Sequence, residues 1–421
     1  MHDSTASQRI SSTVATTAPA TAEIVVGVPS CNHAATVAQV LRTAQAGLGE
    51  FFSGHGSLLV SADVGSSDGT RGQVRTLRAE NPLLRELGPA DDAPDTTSPG
   101  VETRELRMIL EQAHEVHARA CLVLDASMTS MGADWVAQLA RPILDDQFDM
   151  VVPYFARHKL DGAISKGIVY PLTRALYGKR VRQPLGSVFA LSSRLVERFL
   201  ARRVWDIEVS ALSADARAVS ETICADFALC QVFLGPAEHA ASASPLDLSS
   251  ILAAVLGSVF DEMNHNVSYW QKVRGSEPVR WFGTPVEIAG NPPPVDAHKM
   301  WESFRLGCRT LQEVWSAVLP PATLLALKYL ARDDAATLAD DLWARIVYDF
   351  ALGYRLHVMN RGHLLRALTP LYLGWLASFV REMSAAPSQD VERRVQQLSM
   401  VYEAQKPYLI SRWRWPDRFN P

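Results

Sequence analysis

Between residues 23 and 156 the chain switches repeatedly between two hydrophobic periods, and that alternation limits its fold more than any single motif does. "EIVVGVPS" is a β-rich apolar run stopped by Pro29, and "HAATVAQVLRTAQAGL" then carries apolar residues at helical spacing. "SLLVSAD" predicts a second strand, closed by the turn "VGSSDGT", and "TRGQVRTLRAE" continues as a helix. A loop rich in Pro and Asp, "GPADDAPDTTSPG", precedes a helical stretch from Glu102 to His117. "ACLVLDAS", "GADWVAQLARPILDD" and "FDMVVPYF" then read as strand, helix and strand. Strands joined through helices across short loops predict an α/β fold with a mostly parallel sheet and helices on both faces.

After about Ser244 the strands are expected to stop. "LDLSSILAAVLGSVFDEMNHNVSYWQKV", "KMWESFRLGCRTLQEVW" and "LADDLWARIVYDFALGYRLHVM" are long amphipathic runs, with the Pro-rich "GNPPPVD" between two of them. The organisation expected is a disordered tail over 1–22, biased to Ser, Thr and Ala, an α/β domain over 23–244 and a helical domain over 245–421. The Trp, Tyr and Leu stripes after residue 245 read as core packing, and their apolar helices leave room for a homodimer.

With 421 residues the chain can bury a full core. Its net charge of −4 gives no general attraction to nucleic acid or to an anionic membrane, so neither is an expected partner. No run reaches the roughly 18 apolar residues of a membrane span, and the first residues lack a secretory signal. The five cysteines (Cys31, Cys121, Cys224, Cys230, Cys308) are odd in number and show no C-x-x-C spacing. A zinc site or disulfide framework is not expected, and a cytoplasmic location fits.

In an open parallel sheet, ligands bind at the carboxyl ends of the strands. That rule gathers "VPSCNH", "SADVGSSDGT", "LDASMTS" and the region after "VVPYFARH" at one rim. Neither G-x-G-x-x-G nor G-x-x-x-x-G-K-[ST] follows the first strand, which argues against a Rossmann dinucleotide site or a P-loop. The rim instead carries small polar residues and isolated acids: Ser30, Asn32, Asp63, Ser66, Ser67, Asp68 and Asp125. Acids there can hold a ribose hydroxyl or a base edge and, with a divalent cation, a diphosphate they would otherwise repel.

On these residues the sequence resembles the GT-A glycosyltransferases, and among them the bacterial retaining enzymes that make mannosylglycerate or glucosylglycerate from a sugar nucleotide. The resemblance is carried by "VGVPSCNHAATV", "SADVGSSDGT", "LDASMTSMGADW", "PYFARHKLDGAISKGIVYPLTRALYGKRVRQPLG" and "CQVFLGPAEH". It spans the α/β domain and, more loosely, "NRGHLLRALTPLYLGWLASFV" in the helical part. It implies a nucleoside diphosphate sugar as donor, held by Pro29, Ser30, Asn32, Asp63, Ser67, Asp68, Asp125 and Ser127. It also implies a small anionic acceptor such as glycerate, held by Arg157, Ser165, Leu185 and Gly186, and a divalent metal, Mn²⁺ or Mg²⁺, on Asp125 and His239.

The resemblance has departures. Where the relatives end the strand in Asp-x-Asp, this chain has Asp125 and then Ser127. A carboxylate–cation contact is worth about 4 kcal/mol at an effective dielectric of about 20, so metal binding should weaken or move onto other ligands. Glu208 in "VWDIEV" matches the acid near the reacting carbon, with Asp206 as a competing candidate. Ser187 and Val188 follow "QPLG" where the relatives have Gly-acid, and "SPGVETRELRM" lacks the Lys of their Gly-Lys-Gly loop.

Plainer roles stay open: a turn cap for Asp125, an ordinary loop histidine for His239, turn-forming acids for Asp63 and Asp68, a surface arginine for Arg157, and a tight turn after Pro184 for Leu185 and Gly186. The expected activity is a hexosyl transfer to a small hydroxy acid, with retention. The competing reading is a nucleotide-sugar-binding or interaction module whose catalysis has decayed. A sugar nucleotidylyltransferase is disfavoured because no glycine-rich segment with Arg and Lys follows the first strand.

Overall fold

The computed structural model describes residues 21–88, 101–201, 211–240, 247–285 and 295–416. β1 (Ile24–Pro29), α1 (Val37–Phe51), β2 (Ser57–Ala62), α2 (Thr70–Glu80), β3 (Leu84–Leu87), α3 (Val101–Glu115), β4 (Ala120–Val123) and α4 (Asp134–Leu144) alternate as the two hydrophobic periods require. β5 (Met150–Ala156) leads through a π-helical turn (Ser165–Val169) into α5 (Tyr170–Tyr177). β6 (Phe189–Ser192), α6 (Ser193–Ala201), α7 (Ala211–Cys224) and β7 (Leu229–Pro236) follow. Next come α8 (Leu248–His265), α9 (Val267–Trp270), β8 (Arg280–Phe282) and α10 (Ala297–Thr310). The chain then runs through α11 (Gln312–Ser316), α12 (Pro321–Leu330), α13 (Asp340–Arg355), α14 (Arg361–Ala367), α15 (Thr369–Met383) and α16 (Ser388–Arg414).

Packing divides the chain into two compact units. The first holds the described residues of Met1–Asp149, Val188–Ser210 and Glu238–Ala240. Its strands lie in the order β3-β2-β1-β4-β6, parallel throughout except for β6, which runs antiparallel to β4. Pro29 pairs with Ala62 and Gly27 with Val123, so β1, β2 and β4 end along the same edge. The buried Val and Ile residues of β1 suit a strand covered on both faces. α3 packs on β1, β2 and β4 and carries α6, while α1 and α4 pack on each other. Gly27 lets α3 approach closely, because a Cβ there would run into the Ile109 side chain.

The second unit holds the described residues of Met150–Ser187, Ala211–Ala237 and Ala241–Pro421. Its strands β5, β7 and β8 are parallel neighbours. The β5–β7 register shifts between Tyr154 and Phe155. There the Gln183 side chain serves as a surrogate strand: its Oε1 accepts from the Phe155 amide at 3.2 Å and its Nε2 donates to the Phe155 carbonyl at 2.8 Å. α16 packs on α5 and α13. Arg174 of α5 pairs with Glu403 at 2.7 Å, and Lys406 donates to the carbonyls of Ala175 and Val273. Trp343, Trp375 and Phe379 stack in series at 5.8 and 5.3 Å between ring centres, which makes the aromatic stripes core, as expected.

β8 corrects the expectation that strands stop near residue 244. It is only three residues long, with Arg280 and Trp281 exposed, so no hydrophobic alternation marks it in the sequence. Among the described residues no helix is long and apolar enough to cross a membrane.

Candidate functional site

The carboxyl edge of the first unit is built by three loops whose side chains bind one another's backbone. Asn32, just past β1, adopts the left-handed backbone conformation at φ 58°, which asparagine tolerates better than most residues. Its Oδ1 accepts from the Ser67 amide at 2.9 Å, and its own amide donates to Ser66 Oγ at 2.8 Å. Asp68 accepts from the Ala34 amide at 3.0 Å on one oxygen and from Thr70 Oγ1 at 2.6 Å on the other. Burial, which would raise the Asp68 carboxyl, is outweighed by the hydrogen bonds from Thr70 and Ala34, and it lies below its ordinary value. Asn32, Ser67 and Asp68 therefore lock the β1 and β2 loops together. Pro29 is half-buried, and Ser30 is fully buried with its hydroxyl against Ser61 Oγ and the Ala62 carbonyl, both at 3.3 Å. Ser30 is a strut between the two strands.

Asp63 differs from these. It is 2% exposed, and its Oδ1 caps the amides of Gly65 and Ser66 at 3.1 and 2.9 Å. Its Oδ2 is buried and has no hydrogen-bond partner among the described residues. A buried acceptor left unmatched costs about 1–3 kcal/mol, so a donor N–H or O–H from a ligand would recover free energy there. Glu105 of α3, also buried, holds the same loop by accepting from the Val64 amide at 3.2 Å. The sequence marks Glu105 only as one more acid in an amphipathic helix.

Past β4, Asp125 and Ser127 form a tight turn. Asp125 Oδ1 accepts from both the amide and the hydroxyl of Ser127 at 2.7 Å. Residues 127–130 then run alongside 238–240. Thr129 donates its amide to the Glu238 carbonyl, Ala240 donates to the Ser127 carbonyl, both at 2.9 Å, and Ser130 Oγ accepts from the Glu238 amide at 3.0 Å. This two-stranded pairing brings His239 beside Ser127, with Nδ1 3.0 Å from Ser127 Oγ and 3.6 Å from Asp125 Oδ2. Because the segment is extended, Glu238 faces away from that group, as its neighbour's position requires.

The Ser127 hydroxyl has one hydrogen and gives it to Asp125, so toward His239 its oxygen accepts. In this arrangement His239 Nδ1 is the donor toward Ser127; a cation taken between Nδ1 and Asp125 would require the ring to carry its hydrogen on Nε2 instead. Among the described residues no group of three or more His, Cys, Asp or Glu could hold a metal ion. Asp125 and His239 still fit one divalent cation. Two ligands of a single ion, each about 2.1 Å from it, stand roughly 3–3.5 Å apart. A carboxylate, an imidazole and a hydroxyl make a sparse set that a diphosphate would have to complete. The imidazole suits Mn²⁺ better than Mg²⁺.

The residues expected to hold an acceptor all lie in the second unit. Arg157 follows β5 and makes no hydrogen bond or ion pair among the described residues. Ser165 opens the π-helical turn, and its Oγ is buried without a partner. A π-turn leaves a carbonyl outside the regular ladder. Here the Gly167 carbonyl is taken by Trp343 Nε1 at 3.0 Å and by the Tyr402 hydroxyl at 3.1 Å. Leu185 and Gly186 are half-buried, and a Cβ on Gly186 would meet nothing within 4 Å. Intramolecular packing therefore does not require glycine at 186, and the space beside it is open. Glu208 and Asp206 lie outside the described residues.

No protein-family model and no curated protein matches the chain. Among solved structures it is similar to glucosyl-3-phosphoglycerate synthase from Mycobacterium tuberculosis in complex with phosphoglyceric acid. That match has a TM-score of 0.43 and 18% identity, and covers 59% of this chain and 81% of that one. The same enzyme with Mn²⁺, uridine diphosphate and glucosyl-3-phosphoglycerate matches at a TM-score of 0.44 and 19% identity, with the same coverage. Its complex with Mn²⁺ and uridine-diphosphate-glucose gives 0.44 and 18%, again over 59% and 81%.

Proposed function

We propose that this protein transfers a hexose from a nucleoside diphosphate sugar to a small hydroxy-acid acceptor, with retention at the anomeric carbon. The observation that carries the proposal is the Asp125–Ser127–His239 group on the same strand-end edge as the unpartnered oxygen of Asp63. Asp63 Oδ2 suits an N–H of a nucleobase, and Asp125 suits a ribose hydroxyl or a cation at the diphosphate. A divalent ion held by Asp125 and His239 would supply charge neutralisation for the leaving diphosphate. On the acceptor side we assign Arg157 to a carboxylate, Ser165 to a hydroxyl, and the backbone of Leu185 and Gly186 to close approach. Glu208, or Asp206, is assigned to orienting the reacting groups.

In such a transfer the bond from the anomeric carbon to the diphosphate breaks first. The acceptor hydroxyl then attacks from the same face, and its proton passes to the departing phosphate oxygen. The protein's contribution is to hold two substrates in register and to set hydrogen-bond donors where charge develops.

A second reading has its own observation. Ser127 carries no charge, and its hydroxyl is already committed to Asp125, which favours a donor-binding module that has lost turnover. One assay separates the two. The purified protein is incubated with UDP-glucose or GDP-mannose, glycerate and Mn²⁺, and nucleoside diphosphate release is measured. Release that depends on glycerate supports the transferase, whereas donor binding without release from either donor supports the module.

A further inference from the structure

We infer that Lys166, together with Arg157 and Ser165, forms a seat for an oxyanion in the second unit, with Lys166 as its specificity-determining residue. The seat stands on the second unit alone, and it rests on the proposed transferase reading only in identifying that oxyanion as part of the acceptor.

Three neighbouring polar groups here have hydrogen-bonding capacity that the fold does not use. Lys166 is partly buried, and of its three ammonium donors one goes to the Lys159 carbonyl at 2.8 Å. Among the described residues the other two find no acceptor. Ser165 Oγ, one residue earlier, is buried and unpartnered. Arg157 lies next to Gly162, with Nη1 3.9 Å from where a Cβ on that glycine would be, and donates to no described residue. The segment that carries them is fixed rather than slack. Lys159 Nζ donates to the carbonyls of Ser384 and Ala386 at 2.6 and 2.8 Å, and the π-turn is pinned through Gly167.

The charges around Lys166 point the same way. Arg157 and Arg182 act on it as cations, and Asp161 and Glu392 as acids, so with its own ammonium the group holds three cations and two carboxylates. Glu392 is already committed to Arg182, accepting at 2.9 and 2.8 Å. With Arg182 matched by Glu392, the exposed Arg157 and the partly buried Lys166 face one carboxylate, Asp161, and their open donors leave room for an anion. Burial first, then Arg182, lowers the Lys166 ammonium to about 7 despite the two acids. An anion placed beside it would restore the proton. The sequence offers no signal for this, since Lys166 is one lysine in "GAISKGIVY".

The test is sulfate binding to the full-length protein by isothermal titration calorimetry at fixed ionic strength, with glycerate run beside it as a carboxylate probe. Sulfate remains a dianion across the range, so its own titration does not enter. At least one of the two anions should bind more tightly at pH 6 than at pH 8. Lys166→Met should weaken that binding roughly ten-fold at pH 6 and abolish the pH dependence, while Lys166→Arg, which stays charged, should bind equally at both pH values. Anion affinity unchanged in Lys166→Met, with circular dichroism showing the native fold, overturns the inference. If in that case UDP still binds, the transferase reading survives without this seat. Lys166-dependent anion binding without nucleoside diphosphate release keeps the seat and removes its identification with an acceptor.

Discussion

The Oγ of Ser127 stands 3.0 Å from Nδ1 of His239 while giving its hydrogen to Asp125 at 2.7 Å. A second carboxylate at position 127 would be repelled by Asp125 unless a cation lay between them, so serine lets the group close on itself without one. Ser127→Asp should therefore raise Mn²⁺ affinity about ten-fold or more, read by calorimetry with and without UDP. If Mn²⁺ affinity stays within two-fold of the starting protein, position 127 does not face a metal.

Asp63 offers a sharper probe of the donor. Asp63→Asn keeps an oxygen to cap Gly65 and Ser66 and turns the unpartnered acceptor into an N–H donor. Loss of one matched hydrogen bond in a buried setting is worth about 1–3 kcal/mol, so UDP or GDP should bind about ten- to a hundred-fold more weakly, with little change in Tm. A variant that loses stability but binds the nucleotide as before would make Asp63 a loop-building acid only.

The alternation of strands and helices was legible because burial writes its period into the sequence, as in "IVVGVP" of β1 and the apolar spacing of α1. The strand-end placement of Asp63 and Asp125 followed from that alternation. What each side chain does there did not follow. Ser30 and Asp68 look alike as rim residues, yet one is a buried strut and the other is saturated by Ala34 and Thr70. Such roles depend on partners such as Ala62 for Ser30 and Ala34 for Asp68, each more than thirty residues away. His239 reaches Ser127 only through the pairing of 127–130 with 238–240, a contact that no local pattern encodes. The π-turn at Ser165 and the three-residue β8 are too short to carry a period at all.

Lys166 also makes a prediction about stability. Its ammonium is held at about 7, so between there and the ordinary lysine value of about 10.4 the unfolded chain binds more protons than the folded one. Stability therefore rises with pH across that window, and below it the buried charge is a net cost. Each ten-fold loss of proton affinity corresponds to about 1.4 kcal/mol, but partial exposure discounts it, and removing the lysine forfeits a hydrogen bond worth about 1 kcal/mol. Lys166→Met should thus gain roughly 1–2 kcal/mol in denaturant unfolding at pH 7, and the gain should vanish near pH 10.5. A loss of stability at pH 7 would show that the bond to the Lys159 carbonyl outweighs the buried charge.

α13 and α16 are joined by a buried ion pair whose behaviour tests how the helical part is held. Asp349 is 1% exposed and Arg412 4%, with Oδ1 accepting from Nε at 3.1 Å, and the Tyr408 hydroxyl one turn earlier donates to the same carboxylate at 2.8 Å. Burial pushes the Asp349 carboxyl up to about 6, against the pull of Arg412 and Tyr408. Desolvation therefore takes back most of what the pair gains, while either partner alone would be left as an uncompensated buried charge. Arg412→Met should cost about 3–5 kcal/mol in denaturant unfolding, and Asp349→Leu combined with Arg412→Met should recover most of that loss. If the double variant were as unstable as the single one, the pair would be a net stabiliser of α16 against α13, and desolvation would not cancel its gain. The comparison is best made at pH 7.5, where Asp349 is ionised in the parent protein; losing Arg412 removes a pull that lowers its carboxyl, so the single variant meets part of the cost by binding a proton.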